Sequence, residues 1–353
     1  MNGKPGNVHR WIRTLRRVLA FGALATLMTA CDTNLPMSVF GPKSDSARAI
    51  DGLFTNIIIL AAIVFVVVQL VLFYSVFRFR QRSASDPLPK QSHGNTTLEI
   101  AWTIAPAVVL AFVAVPTVRM IFQTYHPVKD TDTVVVRAVG HQWWFEFEYQ
   151  LPDDPEGKHI VTANELHMPV GKRVVVDMTS ADVLHAFWFP AMHGKRDMIP
   201  GRVNQLSWTA DQVGVYHGQC TQLCGTSHAN MRMRAIVQSQ ADFDAWVKTM
   251  RGSNGVPASN PDPEVQKGYQ LTTVSCIACH AIQGTSMQGK VGPNLTNFGS
   301  RLTLGAGLYE NNDANLVRWL LNPQEAKPGN KMPNLNLSQE DARAIAKYLR
   351  TLK

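Results

Sequence analysis

Residues 57–77 read IIILAAIVFVVVQLVLFYSVF, 21 positions without a charge and without a polar stripe. A helix rises about 1.5 Å per residue and a bilayer's hydrocarbon core is about 30 Å thick, so this segment is long enough to cross one. A buried helix of a water-soluble domain would keep one face for solvent, and this one has none. A second apolar segment covers residues 100–122. The loop between them carries Arg78, Arg80, Arg82 and Lys90, whereas residues 31–52 carry only Lys43 and Arg48. By the positive-inside rule the loop is cytoplasmic, and everything after residue 122 lies on the outer side. The expected membrane unit is a two-helix hairpin within residues 53–122.

The formal charge of +8 suggests nucleic acid only until it is located. Lys4, Arg10, Arg13, Arg16 and Arg17 supply five of those charges inside residues 1–30, which hold no acid. That cationic start, the apolar residues 18–30 and the small residues before Cys31 have the layout of a signal peptide. MTAC at 28–31 resembles a lipoprotein cleavage site, with Met28 where Leu is usual, so Cys31 is the expected lipidated first residue. No nucleic-acid partner is expected.

Beyond residue 132 the texture changes to short apolar-aromatic runs: TVVVRAV, QWWFEFEY, RVVVDMTS, LHAFWFP, VNQLSWTA, GVYHGQC and MRMRAIVQ. Trp143, Phe145 and Phe147 alternate with Trp144, Glu146 and Glu148, as in a strand with one buried face. About seven such strands predict a β-sandwich or Greek-key barrel over residues 124–250, closed by a helix at 241–250. Residues 251–261 have a linker's Gly, Ser, Asn and Pro, and residues 262–353 form a third unit.

The five cysteines fall into three contexts: Cys31, the pair Cys220 and Cys224, and the pair Cys276 and Cys279. Two disulfides are the plain reading in an oxidising compartment. CIACH at 276–280 argues against it for the last pair, because this is the c-type haem attachment spacing. Two thiols reach the two vinyl groups of one porphyrin while His280 is delivered to the iron from the same turn. The second axial ligand must come from a distant loop. Met287, seven residues on, reads as a packing residue; Met332, in KMP just before a capped helix, is the expected ligand. His/Met ligation raises a haem's potential and saturates the iron, which suits an electron carrier.

HGQCTQLCGTSHANM at 217–231 places Cys220, Cys224, His228 and Met231 together. A disulfide leaves the histidine and methionine without a role, and zinc has little use for a thioether. Copper accepts thiolate, imidazole and thioether together, and two cysteines suggest two coppers bridged by both sulfurs. Each copper needs its own imidazole. Among histidines 141, 159, 167, 185, 193 and 217, His185 stands out because it opens the aromatic stretch HAFWFP.

DVLHAFWFP, DMIPGR, GQCTQLCGTSHANM, GHQWW at 140–144 and LEIAWTIAPAVVLAFVAVPTVR at 98–119 together resemble subunit II of cytochrome c oxidase, over residues 53–250. With a haem unit fused behind, the chain is similar to the bacterial caa-type. The resemblance implies a cupredoxin-like sandwich and a small all-α class I cytochrome c domain. It implies a dinuclear copper centre (CuA) held by His185, Cys220, Cys224, His228, Met231 and the backbone carbonyl of Gln222. It also implies a relay role for Trp143 and a place for Glu99 near the cytoplasmic mouth of a proton path. VGPNL at 291–295 resembles the class I loop in which the Pro293 carbonyl supports the haem histidine. The family usually has Glu at position 222, where it helps bind Mg²⁺; the neutral Gln222 leaves that ion in doubt, with Asp197 as a remaining carboxylate.

The expected function is electron input to a respiratory oxidase of the bacterial cell membrane. A donor such as cytochrome c reduces the haem, the copper pair follows, and haem in subunit I, with subunit III a further partner, reduces oxygen. Residues 124–250 carry 11 basic and 14 acidic groups and residues 262–353 carry 10 and 7, complementary signs that favour docking of the two outer units. The competing readings are electron input to a nitrogen-oxide reductase, and a copper-handling or redox-sensing membrane protein.

Overall fold

The computed structural model describes residues 14–19, 21–22, 35–86, 91, 93–125, 132–151, 160–257 and 261–353. Cys31, most of the leader and His159 lie outside the described residues.

Both apolar segments are helices, α1 (Asp45–Arg78) and α2 (Thr96–Tyr125), and their apolar side chains face outward, as lipid contact requires. Pro106 and Pro116 lie inside α2. Helix α1 begins well before the apolar window because its N-terminus is built into the outer domain. The Ser44 hydroxyl caps the Ala47 N–H and donates to the Met192 carbonyl. Asp45 accepts from the Thr209 N–H at 2.7 Å and pairs with Arg173 at 3.3 Å.

Among its described residues the outer domain has ten strands. One sheet runs in the order β3 (Val161–Ala163), β2 (Trp144–Gln150), β1 (Val134–His141), β5 (Arg173–Ser180), β8 (Asn204–Thr209). A second joins β4 (Glu165–Pro169), β10 (Arg232–Gln238) and β9 (Gly214–Gln219), and β6 (His185–Phe187) pairs with β7 (Arg196–Met198). The β1–β5 and β4–β10 pairings are parallel, so the chain crosses between layers rather than winding up and down. Phe145, Phe147, Tyr149, Met168, Val176, Phe187, Phe189 and Trp208 fill the interior. This is the cupredoxin-like sandwich, closed by α3 (Gln240–Gly252).

His193 is buried in that core, its ring parallel to Phe187 at 5.3 Å and tilted on Trp208 at 4.5 Å. Burial drops its pKa to about 4, against the hydrogen bond to the Gly194 carbonyl. The unfolded chain takes up this proton near pH 6.5 and the native state refuses it until about 4, so stability is lost as pH falls through that window. One such group is worth roughly 3 kcal/mol at full effect. Melting at pH 4.5 is expected at least roughly 5–10 °C below that at pH 7.5, and His193→Phe should narrow the difference without abolishing it, because burial lowers His141 and His167 to about 4 as well.

The last unit is helical: α4 (Pro263–Ser275), α5 (Asp313–Leu321), α6 (Pro323–Ala326) and α7 (Gln339–Thr351), with one two-residue hairpin of β11 (Thr303–Leu304) and β12 (Tyr309–Glu310). The Ser338 hydroxyl accepts from the Asp341 N–H at the start of α7, as the S-x-x-D pattern predicts. Helices α4 and α7 cross so closely that a Cβ on Gly268 would lie 2.0 Å from the Ala344 carbonyl oxygen. The expected linker is partly packed: Ser253 is buried and donates to the Lys353 carbonyl at 2.8 Å, and the Gly255 N–H donates to Gln283 at 2.8 Å.

Candidate metal and haem centres

Strand β9 delivers Cys220, a loop carries Cys224 and His228, and Met231 leads into β10, while β6 opens with His185. The two thiols are free, with Sγ atoms 3.8 Å apart. His185 Nδ1 lies 3.9 Å from Cys220 Sγ, and His228 Nδ1 lies 3.5 Å from Cys224 Sγ. Met231 Sδ is 3.9 Å from Cys224 Sγ, and the Gln222 carbonyl oxygen is 3.2 Å from Cys220 Sγ. Every side chain expected at this centre is thus in one cluster. Contact with Cys224 holds the Cys220 thiol down, to about 4, against its burial; the same contact, with burial, pushes Cys224 up.

His185 is fully buried and turns its other nitrogen to Asp182, Nε2 to Oδ1 at 2.9 Å. Burial opposes charge on this ring, yet its contacts with Cys220 and Asp182 raise its pKa. A carboxylate behind an imidazole fixes the ring and its tautomer, the arrangement common behind metal-bound histidines. His141, His167, His193 and His217 do not join the cluster.

The second centre is a cavity of about 1130 Å³, open mouth included, lined by Cys276, Cys279, His280, Pro293 and Met332. His280 Nδ1 donates to the Pro293 carbonyl at 2.7 Å, which leaves Nε2 as the lone-pair nitrogen. Gly292 lies against this ring, and a Cβ there would come within 2.4 Å of it. Trp319 Nε1 donates to Met332 Sδ at 3.3 Å. Met287 is fully buried in the helical core, away from the cavity lining, as a packing residue should be.

The two centres meet at one wall. Trp143 and Trp144 line this cavity from the copper-domain side. Trp143 Nε1 donates to the Cys224 carbonyl at 2.9 Å, and Gln142 Nε2 donates to the same oxygen at 2.8 Å. Lys331 of the helical unit pairs with Asp182 at 3.3 Å. Glu165 reaches the other way, buried, accepting from the N–H groups of Leu302 and Thr303, both at 2.9 Å. Burial raises its pKa against those hydrogen bonds.

Residues 35–120 match the family described as cytochrome c oxidase subunit II, transmembrane domain; residues 134–239 match cytochrome c oxidase subunit II, periplasmic domain; residues 265–353 match cytochrome c. Cytochrome c oxidase subunit 2 of Alkalihalophilus pseudofirmus is 37% identical over 347 residues, 97% of this chain and 98% of that protein. The family is settled by that coverage. The chain belongs to the cytochrome c oxidase subunit 2 family. Cytochrome c oxidase subunit 2 of Bacillus subtilis is 33% identical over 302 residues, 80% of this chain and 82% of that one. A crystal structure of the periplasmic domain of subunit II of cytochrome oxidase from Bradyrhizobium japonicum shares 33% identity, with a TM-score of 0.32, and covers 35% of this chain and 96% of that one.

As a family member the chain is a membrane-bound component of a haem-copper cytochrome c oxidase, associated with subunit I and carrying its own cytochrome c domain. Glu99 sits exposed in the first turn of α2, accepting from the Asn95 N–H at 3.1 Å. Gln222 and Asp197 are both exposed. Sequence reasoning missed Asp182, Gln142, Glu165, Lys327 and Lys331 as site neighbours. Asp182 alone had a local signal, three residues before His185; Gln142 joins the site through the fold of its own domain, and Glu165, Lys327 and Lys331 only through the docking of two domains.

Proposed function

We propose that the chain is the electron-input subunit of a bacterial caa-type oxidase, with its outer domains on the periplasmic face of the cell membrane. His185, Cys220, Cys224, His228, Met231 and the Gln222 carbonyl would hold two coppers; Cys276 and Cys279 would hold haem c, with His280 and Met332 at its iron. The donor chemistry fits both groups: two unbonded thiols flanked by two imidazoles and a thioether on one side, and two thiols, an imidazole and a thioether around one cavity on the other. When bound, these groups supply one-electron carriage from a donor such as cytochrome c towards haem in subunit I, where oxygen is reduced to water.

The protein's own work is placement. Asp182 orients His185, Pro293 orients His280, and Trp143 stands between the two centres. That Trp143 both lines the haem cavity and donates to the Cys224 carbonyl is the observation that carries the reading. Apolar Val183, Leu184, Val203 and Leu223 are exposed on the copper domain and suit a cover by subunit I. Gln222 offers a neutral amide and Asp197 a single carboxylate, so no Mg²⁺ is assigned to this chain alone. Cys31 is proposed as a lipidated first residue and Glu99 as a proton-path residue, both on the resemblance.

Purification from membranes tests this. Subunit I should accompany the chain, with oxygen consumption driven by reduced cytochrome c. A complex that reduced nitrogen oxides and not oxygen would contradict the reading.

A further inference from the structure

Lys327 is 3% exposed, one residue past α6, and among the described residues no carboxylate hydrogen-bonds its ammonium. Its ammonium donates to the Trp143 carbonyl across the domain boundary and to the Gly305 carbonyl of its own domain at 3.2 Å. Both Lys327 and Trp143 line the haem cavity. The next two residues continue along the copper domain. The Pro328 carbonyl accepts from the Ser227 hydroxyl, and a Cβ on Gly329 would lie 3.2 Å from the Trp143 ring. Residues 327–329 are therefore laid along the copper loop that holds Cys224.

Burying an ammonium against carbonyls alone is costly, and an apolar side chain would fill the same space more cheaply. Burial brings the Lys327 pKa down to about 7, against the attraction of Cys224. A lysine in such a place needs a reason beyond packing. The geometry supplies one: a chain of contacts runs from the Lys327 ammonium to the Trp143 carbonyl, and from the Trp143 indole to the Cys224 carbonyl.

We infer that Lys327 is a positioning residue for electron transfer from the haem cavity to the thiol pair, acting by fixing Trp143 against both. The inference rests on the proposed electron-input function. Lys327 is buried and offers a donor protein no surface, so it affects the internal transfer and not the binding of the donor. A lost anchor lets Trp143 shift away from both centres and lengthens the path between them, so the internal transfer slows.

The test uses the whole oxidase carrying Lys327→Met. Haem and copper loading, the KM for reduced cytochrome c, kcat, and the rate at which photoreduced haem c is reoxidised would be measured. Both metals should load and KM should stay unchanged, while kcat and internal transfer fall about tenfold. Lys327→Gln keeps one donor and no charge, and should lie between, about threefold slow; it decides the matter if the Met variant fails to load haem. Wild-type transfer in either fully loaded variant would overturn the inference and leave the proposed function standing. Absence of a two-copper signal in the unmutated oxidase would instead overturn the function.

Discussion

Cys224→Ser is expected to abolish the two-copper centre and, with it, oxygen consumption. Cys224 contacts three of the other groups in the cluster: Cys220 at 3.8 Å, His228 at 3.5 Å and Met231 at 3.9 Å. A serine hydroxyl keeps the shape but does not ionise at neutral pH, so it cannot replace a bridging thiolate. Loss of an outer partner of a metal site typically costs 10–100-fold, and loss of a bridging ligand should exceed about 100-fold in turnover. Copper should fall from two per chain to one or none, measured by metal analysis, while the haem spectrum stays unchanged. Two coppers and normal turnover in this variant would remove Cys224 from the centre.

Met332→Ala should leave the haem attached and change its electronics. The proposed attachment is through Cys276 and Cys279, which the substitution does not touch. Met332 shares the cavity with His280, and its sulfur accepts the Trp319 N–H at 3.3 Å, a contact that fixes the thioether. Without it the haem would lose the ligand proposed to keep its potential high. The midpoint should drop by on the order of 0.1–0.3 V, a fraction of the ~0.8 V that axial ligation can span. The donor would then reduce the haem less completely, and the haem spectrum would show altered ligation. An unchanged spectrum and potential would move the ligand role to Met287.

The membrane hairpin was legible because residues 57–77 leave no face for water, yet the helix begins at Asp45, where capping by Ser44 and anchoring through Thr209 and Arg173 take over from hydropathy. Seven strands were legible from apolar runs. The short β3, β4 and β7 were not, since three to five residues carry too little pattern and owe their conformation to a partner strand. LHAFWFP shrank to the three residues of β6 because the chain turns away after Phe187. Alternation in β2 placed Trp144 on the outer face, but it is only 8% exposed. That face is covered by the haem domain, with Ala306 against Trp144, which no local pattern in either domain announces.

The side chains proposed for copper and haem stood out in the sequence for a different reason: cofactor chemistry demands particular residue types at fixed spacing. The residues around them are ordinary in kind. Glu165, Lys327 and Lys331 read as surface charges in sequence, and become site residues only where the two outer domains meet. The opposite net charges of those domains gave the sign of the encounter and none of its partners.

Copper stoichiometry with electron paramagnetic resonance on the purified oxidase tests the central claim most directly. The arrangement of His185, Cys220, Cys224, His228 and Met231 predicts two coppers in this chain and a signal in which one unpaired electron couples equally to both nuclei. A single copper, zinc in its place, or a Cys220–Cys224 disulfide in the active oxidase would contradict it.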